Sequence, residues 1–333
     1  MAKNLKIFFA VDIHGSTMCF KKFIKALEVY GADVGILGGD LSGKFVVPIV
    51  MKEDGTYVYK YLGEKIETKD KSVFEEIEKR LESMGNYYIY INESEFKELL
   101  AEGKTLEGRI DEKAKGITLS SGKVEEIFEN AVVQRLNEWM EYANERLKKM
   151  DKRLYIIPGN DDLPVVDEVI RKHESDYIIF ADRKVVEIND HEMAGLSWSN
   201  PTPWDTPREV DEETLAKMIE ELVSQIKDME KAIFQFHVPP YGTFLDEAPK
   251  LSEDLRPSVS EVISAGSKAV LEAIKKYQPL LGLHGHIHES RAVQKIGRTY
   301  VINPGSEYTE GILKGVLVII DKKKFKNYLF TSG

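Results

Sequence analysis

Five short apolar segments of this chain each end directly at side chains that can bind metal ions. The segments are 5–11, 34–37, 154–157, 233–236 and 280–283. They are followed by Asp12 and His14, by Asp40, by Asn160, Asp161 and Asp162, by His237, and by His284, His286 and His288. Because the carboxyl ends of parallel strands meet at one edge of a sheet, these distant residues can converge. The pattern predicts an α/β fold with one site at the strand ends.

The helical periodicity between these strands supports a layered core. Apolar spacing predicts helices over 17–30, 124–150, 165–173, 211–230 and 267–277. The segments 185–188 and 192–196 are typical of an antiparallel pair, and the tail 291–330 is typical of several antiparallel strands. A strand–helix–strand start of this kind indicates helices packed on sheets.

The segment 43–118 breaks this pattern and is predicted to be an insertion in a core formed by 1–42 and 119–333. It contains two strand-like stretches, 45–51 and 57–62, joined by a hairpin signal, then a helix over 71–84 and a strand over 87–91. Tyr57, Tyr59 and Tyr61 share one strand face there. They could stack on a nucleotide base or pack within the insertion, which could cap the site or form the contact of a homo-oligomer.

Charge and composition limit the partners. Among 333 residues, 46 are basic and 56 acidic, for a net charge of −10. This balance argues against binding long nucleic acid, which needs a basic face, but bound metal can attract a small phosphorylated substrate. The lone cysteine, Cys19, excludes a disulfide framework and fits a small packing residue. With no long apolar run and no signal-peptide pattern at the start, we expect a cytoplasmic protein that does not bind membranes.

The mixture of candidate ligands narrows the choice of metal. Carboxylates, imidazoles and one amide oxygen together suit borderline divalent ions such as Mn, Fe, Co, Ni or Zn. About seven ligands are too many for one tetrahedral ion. Two ions that share Asp40 are therefore the simplest arrangement, as in hydrolytic sites with two metals.

This ordered set of motifs resembles the calcineurin-like metallophosphoesterase superfamily. The motifs are Asp12-x-His14, Gly39-Asp40, Gly159-Asn160-x-Asp162, His237 and Gly285-His286-x-His288. The turn Asn303-Pro304-Gly305-Ser306 is similar to one in the smaller prokaryotic, phosphodiesterase-like members. The resemblance implies a four-layer α/β/β/α sandwich with two metal ions. It implies that one ion is held by Asp12, His14, Asp40 and His288, and the other by Asp40, Asn160, His237 and His286.

The resemblance also implies a reaction, the hydrolysis of a phosphodiester or small phosphorylated metabolite by a metal-bridging hydroxide. Asn160 would also contact substrate. Asp161 stands where most members have a histidine that assists the leaving group with help from the next aspartate, here Asp162. Asp161 could do this only by keeping a proton or by acting through water. This departure favours a diester, or an ester with an activated leaving group, and Asp161 could also point away and leave the site without a general acid. Manganese is one of the ions that would suit the ligand set.

Other interpretations stay open at this point. The protein could instead be a metal-binding scaffold with little activity that recruits a partner through the insertion. His284 could orient a metal ligand or be merely buried. The loop 200–203, between Trp198 and Trp204, could border the cleft or form a rigid turn, and His191 is expected to be solvated in a turn.

Overall fold

Two stacked sheets form the centre of the molecule. The computed structural model describes residues 4–101, 122–252 and 255–333. The first sheet is six-stranded and mixed. In order across it, the strands are β18 (Phe325–Ser332), β17 (Lys314–Ile320), β1 (Leu5–Ala10), β2 (Val34–Gly38), β7 (Arg153–Ile157) and β8 (Ile178–Phe180). The second, also six-stranded, consists of β15 (Ala292–Ile296), β16 (Thr299–Asn303), β14 (Leu281–Leu283), β11 (Ile233–Phe236), β10 (His191–Leu196) and β9 (Lys184–Ile188).

Helices cover the outer face of each sheet. Three pack on the first sheet, namely α1 (Thr17–Val29), α4 (Lys123–Met150) and α5 (Val165–Lys172). Two pack on the second, namely α6 (Glu212–Val223) and α7 (Lys268–Tyr277). The predicted four-layer α/β/β/α sandwich is therefore confirmed. Among the described residues, no helix combines the length and apolar character that crossing a membrane requires.

Strand alternation explains why both faces of the first sheet are buried. In β1, Ile7 and Phe9 lie in the core between the two sheets, whereas Phe8 and Ala10 lie in the core beneath the helices. Successive side chains of a strand point to opposite faces, so an unbroken apolar run is what a doubly covered sheet needs. The strand ends are the first polar positions of these runs, and they lie at the edge of the core.

The inserted segment forms a sheet of its own. Its order is β5 (Glu64–Thr68), β4 (Tyr57–Tyr61), β3 (Val46–Met51) and β6 (Tyr87–Asn92), with α2 (Ser72–Ser83) and α3 (Glu93–Ala101) beside it. The predicted hairpin, helix and last strand are present, while β5 and α3 were not predicted. The predicted boundary at 118 lies outside the described residues, so the division into core and insertion stays a prediction.

Several local expectations meet different outcomes. Tyr59 is buried with Phe74 in the core of the inserted sheet, which supports its packing role, and Cys19 is confirmed as a buried packing residue. The solvated placement of His191 is wrong, because its ring is buried and its Nδ1 lies 2.9 Å from the Lys231 carbonyl oxygen.

Two further elements differ from the sequence-based expectations. Helix α6 ends at Val223 instead of continuing to 230. A separate short 3-10 helix, Met229–Lys231, lies just before β11. The start of this 3-10 helix is capped by the Asp228 carboxylate, which accepts from the Glu230 N–H. A separate hairpin, β12 (Glu247–Leu251) and β13 (Pro257–Ser264), was not predicted.

Candidate metal centre

Four predicted ligands converge where the two sheets meet. Asp12 and His14 follow β1, Asp40 follows β2, and His288 follows β14 of the other sheet. One donor atom from each of these residues lies within 4.8 Å of every other. His14 Nε2 is 3.0 Å from His288 Nε2 and 3.5 Å from Asp40 Oδ2. This is the set that the resemblance assigns to one ion.

The backbone of this cluster is held in an unusual conformation. Asp12, His14 and Asp40 all have left-handed backbone angles, with φ of 54°, 34° and 51°. Such angles are uncommon for residues with side chains and cluster at functional sites. The Asp12 N–H donates to the Gly39 carbonyl at 3.0 Å, and the His14 N–H to the Asp40 carbonyl at 2.9 Å. These bonds tie the two ligand loops together before any ion binds.

The other predicted ligands adjoin this cluster. His237 Nε2 lies 3.5 Å from Asp40 Oδ1 and 3.8 Å from Asp12 Oδ1. His286 Nδ1 lies 2.7 Å from Asn160 Oδ1, and the His286 N–H donates to Asp12 Oδ2 at 2.9 Å. All seven predicted ligands are thus linked by direct contacts through Asp40 and Asp12. The role of Asn160, His237 and His286 at a second ion stays a prediction.

The donor set fits a bound cation because it leaves buried lone pairs without partners. Within the described residues, Asp12 Oδ1, His14 Nδ1 and His237 Nε2 are buried and accept or donate no hydrogen bond. A buried polar atom without a partner costs about 1–3 kcal/mol. His237 is held from its other side, where Nδ1 lies 2.9 Å from the Gly38 carbonyl oxygen. An ion at this point would satisfy atoms that the protein itself does not.

Burial keeps three of the histidines neutral. It lowers the pKa of His286 and of His288 to about 3, and the pKa of His14 well below its ordinary value. Neutral imidazole is the form that coordinates metal. These rings therefore do not have to lose a proton before they bind an ion at neutral pH.

The carboxylates and His237 form the charged part of the site. Burial raises the pKa of Asp12 to about 8. Burial also opposes the charged form of Asp40, but His237 and His14 hold the Asp40 pKa well below its usual range. Against its own burial, His237 has its pKa raised to about 9 by Asp40 and Asp12. A divalent cation would reverse this pattern by favouring ionised Asp12 and neutral His237.

Asp162 supports the ligand loop instead of facing the cluster. Its carboxylate accepts from the N–H groups of Leu41, Ser42 and Gly159, at 2.7–3.1 Å, and from the Ser42 hydroxyl at 2.6 Å. These donors occupy both oxygens. The structure therefore favours a positioning role for Asp162 over the catalytic role inferred from the resemblance.

We expect Asp162→Asn to lower the free energy of unfolding and to weaken metal binding together. The asparagine side chain lacks the negative charge of Asp162, and its NH₂ group would face N–H groups that need an acceptor. The free energy of unfolding should therefore fall by roughly 1–3 kcal/mol. Urea unfolding of the metal-free protein and metal titration would measure the two effects, with the exposed Asp176→Asn as control. A loss of kcat with unchanged stability and metal affinity would instead support the catalytic role.

His284 lies behind His237. Its Nδ1 is 2.8 Å from the Phe236 carbonyl oxygen and 3.2 Å from that of Val238, the two residues that flank His237. Burial lowers the pKa of His284 to about 4, so the ring is neutral. It fixes the backbone that presents His237, which agrees with the orienting interpretation.

The loop after Trp198 borders the site. Asn160 Nδ2 donates to Thr206 Oγ1 at 2.7 Å, and the Arg208 N–H donates to the Asn160 carbonyl at 3.1 Å. Trp204, in the same loop, is 43% exposed. The residues just after 200–203 thus contact a candidate ligand, and the placement of 200–203 itself at a cleft stays a prediction.

Sequence reasoning missed two residues beside the ligands. Lys44 Nζ lies 3.4 Å from Asp161 Oδ2, and the Tyr308 ring lies 4.7 Å from the His14 ring between their centres. Lys44 belongs to the segment interpreted as an insertion, and Tyr308 to a short 3-10 helix, Tyr308–Glu310, which begins five residues after β16 ends. Neither position carries the strand-end signal that marked the ligands.

Comparison with known proteins agrees with this architecture. No family model matches the sequence. The protein MJ1162 of Methanocaldococcus jannaschii, described as uncharacterized, is 30% identical over 199 residues, which is 58% of this chain and 79% of MJ1162. TT1561 of Thermus thermophilus shares the fold with a TM-score of 0.51 at 13% identity, and another crystal structure with 0.57 at 14%, each over 99% of both chains.

A lower-scoring neighbour is described as a novel archaeal phosphodiesterase, at 13% identity and a TM-score of 0.36 over 99% of this chain and 100% of the other. This likeness is too low to bear on the function of the chain. The motif order, the four layers and the convergent donors define a protein of the calcineurin-like metallophosphoesterase fold. By its identity to MJ1162, the chain belongs to the same family as that protein.

Proposed function

We propose that the protein is a metal-dependent phosphoesterase with two divalent ions, which hydrolyses a phosphodiester or a small phosphorylated metabolite. The observation that carries this proposal is the convergence of Asp12, His14, Asp40 and His288 within 4.8 Å at the strand ends. Buried donors without partners in the same cluster support it. A site for structural metal alone would not need a second group of candidate ligands beside the first.

The roles of the residues follow from their positions. Bound ions would supply an activated water and neutralise charge that develops on phosphate. Asp12 and Asp40 return two of the four positive charges that two divalent ions bring, so the site stays attractive to an anionic ester. Asn160 has its amide held between His286 and Thr206, which supports the proposal that it contacts both ion and substrate.

The diester preference is part of the proposal and rests on Asp161. Where the resemblance expects a histidine, this chain has a side chain with only 6% exposure whose Oδ2 lies beside Lys44. A monoester needs help for a poor leaving group more than an activated diester does, since general acid catalysis contributes about 10²–10⁴-fold. We therefore infer an ester with a good leaving group. The mixed carboxylate and imidazole ligands make manganese a suitable ion.

Removal and return of metal test this function. Chelator-treated protein is expected to lose hydrolysis of bis(p-nitrophenyl) phosphate, and Mn²⁺ is expected to restore it, because the histidines and carboxylates bind no substrate without ions. Elemental analysis would give the number of ions per chain, with two expected. Absence of turnover on any monoester or diester by fully metal-loaded protein would contradict the enzyme proposal.

Metal-loaded protein without turnover would point to the scaffold alternative. Helix α2, beside the inserted sheet, contacts the ligand loop directly, since Ser16 Oγ donates to the Ser83 carbonyl at 2.6 Å. A metal-binding scaffold that recruits a partner through the insertion would keep this contact and the ions but lack turnover. Full metal content without hydrolysis, together with a partner lost on deletion of the insertion, would favour the scaffold.

A further inference from the structure

Lys44 lies between the core and the inserted sheet, beside the candidate metal centre. Its ammonium nitrogen is 3.4 Å from Asp161 Oδ2, and its side chain is 33% exposed. The Asp161 N–H donates to Asp40 Oδ1 at 3.1 Å, and Asp161 Oδ2 lies 3.9 Å from His14 Nδ1. The Lys44–Asp161 pair therefore adjoins two of the four converging ligands.

The backbone that carries Lys44 is fixed from both sides. Asp162 accepts from the N–H groups of Leu41 and Ser42, and the Gly43 N–H donates to the Tyr87 hydroxyl at 2.9 Å. A Cβ on Gly43 would lie 2.0 Å from the Gly85 carbonyl oxygen, so only glycine fits this approach. The backbone before Lys44 is thus held in place by hydrogen bonds and close packing.

The ion pair of Lys44 with Asp161 leaves N–H donors of the Lys44 ammonium available to an anion. An ammonium has three donors, and Asp161 is the one ion-pair partner of Lys44 in the described part of the chain. A solitary carboxylate at this position would repel phosphate, whereas the neighbouring ammonium cancels its charge. Burial opposes the charged form of Lys44, but Asp161, Tyr308 and Asp40 together outweigh it and raise the Lys44 pKa above its ordinary value, so the ammonium stays charged.

We propose that Lys44 binds a phosphate oxygen of the substrate and that Asp161 is a positioning residue that holds the Lys44 ammonium in place. This inference rests on the proposed phosphoesterase function and specifies a contact for its substrate. It replaces the leaving-group role considered for Asp161 with a charge-assisted hydrogen bond from Lys44 to phosphate. The contact needs a fixed positive charge but no proton transfer.

Phosphate binding to the metal-loaded full chain tests the contact apart from turnover. Calorimetric titration with inorganic phosphate is expected to show about 10- to 100-fold weaker binding for Lys44→Met, the loss expected for a hydrogen bond to a charged group. Lys44→Arg is expected to stay within about tenfold of wild type because it keeps the charge. Lys52→Met is the matched control, because Lys52 is 35% exposed and paired with Glu67 in the inserted sheet.

Kinetics and a double-mutant cycle complete the test. With metal content unchanged, kcat/KM of Lys44→Met should fall about 10- to 100-fold, and the loss should be smaller in an Asp161→Asn background. Phosphate binding equal to wild type in Lys44→Met would overturn the contact, and equal losses in both backgrounds would overturn the positioning role. If phosphate binding depends on Lys44 but no ester is hydrolysed, the proposed function fails and the Lys44 contact stands.

Discussion

Asp40→Asn is expected to abolish metal-dependent hydrolysis, with a loss of at least roughly a thousandfold in kcat/KM. Asp40, like Asp12, contacts both groups of candidate ligands. Its Oδ2 lies 3.5 Å from His14 Nε2, and its Oδ1 lies 3.5 Å from His237 Nε2. Asparagine keeps the shape but removes the negative charge and one of two acceptor oxygens. In the proposed site with two ions, the shared anionic ligand would then be lost.

A readout other than activity makes this prediction specific. Because an ion that binds the folded state stabilises it, excess Mn²⁺ should raise the melting temperature of the wild type. At a concentration of 100 Kd, the free energy of unfolding should rise by about 2.7 kcal/mol. The Asp40→Asn protein should show little or no such shift. Asp190→Asn, an exposed carboxylate paired with Lys322, is the control and should respond as the wild type does. A normal Mn²⁺ shift in Asp40→Asn would show that the ions bind elsewhere.

The candidate ligands could be predicted from sequence because their signal is local. Each of them follows an apolar strand at once, and the strand must end where the chain leaves the buried sheet. Asp40, for example, comes directly after Gly38-Gly39 at the end of β2. The strand pattern by itself predicts a layered α/β core, whereas the four layers were implied by the resemblance to the metallophosphoesterase superfamily.

Elements that lack an apolar pattern, or that depend on distant partners, could not be predicted in this way. Strand β5 is polar and only partly buried, so no apolar alternation marks it, and it is held by main-chain bonds to the preceding strand β4. His191 lies next to a turn signal, yet its ring is buried because the Lys231 carbonyl lies across from it. Lys44 acquires its role only because 117 positions later the chain returns with Asp161 beside it. No short window of sequence contains the contact of His191 with Lys231 or that of Lys44 with Asp161.

A buried arginine links the inserted sheet to the metal centre, and sequence reasoning did not find it. Arg135 lies in α4 and is 6% exposed. Its Nη1 donates to the Gly15 carbonyl at 2.7 Å, one residue after His14, and its Nη2 donates to the Asn86 carbonyl at 3.2 Å. The guanidinium also lies 4.9 Å from the centre of the Tyr87 ring. One side chain thus joins a core helix, the ligand loop and the turn before β6.

We expect Arg135→Ala to lower the free energy of unfolding by roughly 2–4 kcal/mol, because two buried carbonyls lose a charged donor and the packing against Tyr87 is lost. Arg135→Lys should recover only part of this loss, since a lysine ammonium cannot donate to both carbonyls in the geometry of the planar guanidinium. Urea unfolding of the metal-free protein would measure both effects. Arg146→Ala, an exposed arginine of the same helix, should change stability by less than about 0.5 kcal/mol.

The same substitution should weaken metal binding although Arg135 is not a candidate ligand. Gly15 adjoins His14, and Gly85 packs so closely on the His14 carbonyl that an added Cβ would lie 1.9 Å from it. Loss of the hydrogen bond to the Gly15 carbonyl is therefore expected to loosen the loop that carries His14. Removal of a residue that supports a metal ligand typically lowers metal affinity 10–100-fold. Calorimetric Mn²⁺ titration of Arg135→Ala, at a temperature where it is folded, tests this coupling. Wild-type affinity in a destabilised Arg135→Ala protein would show that the insertion is fastened to the core without bearing on the metal centre.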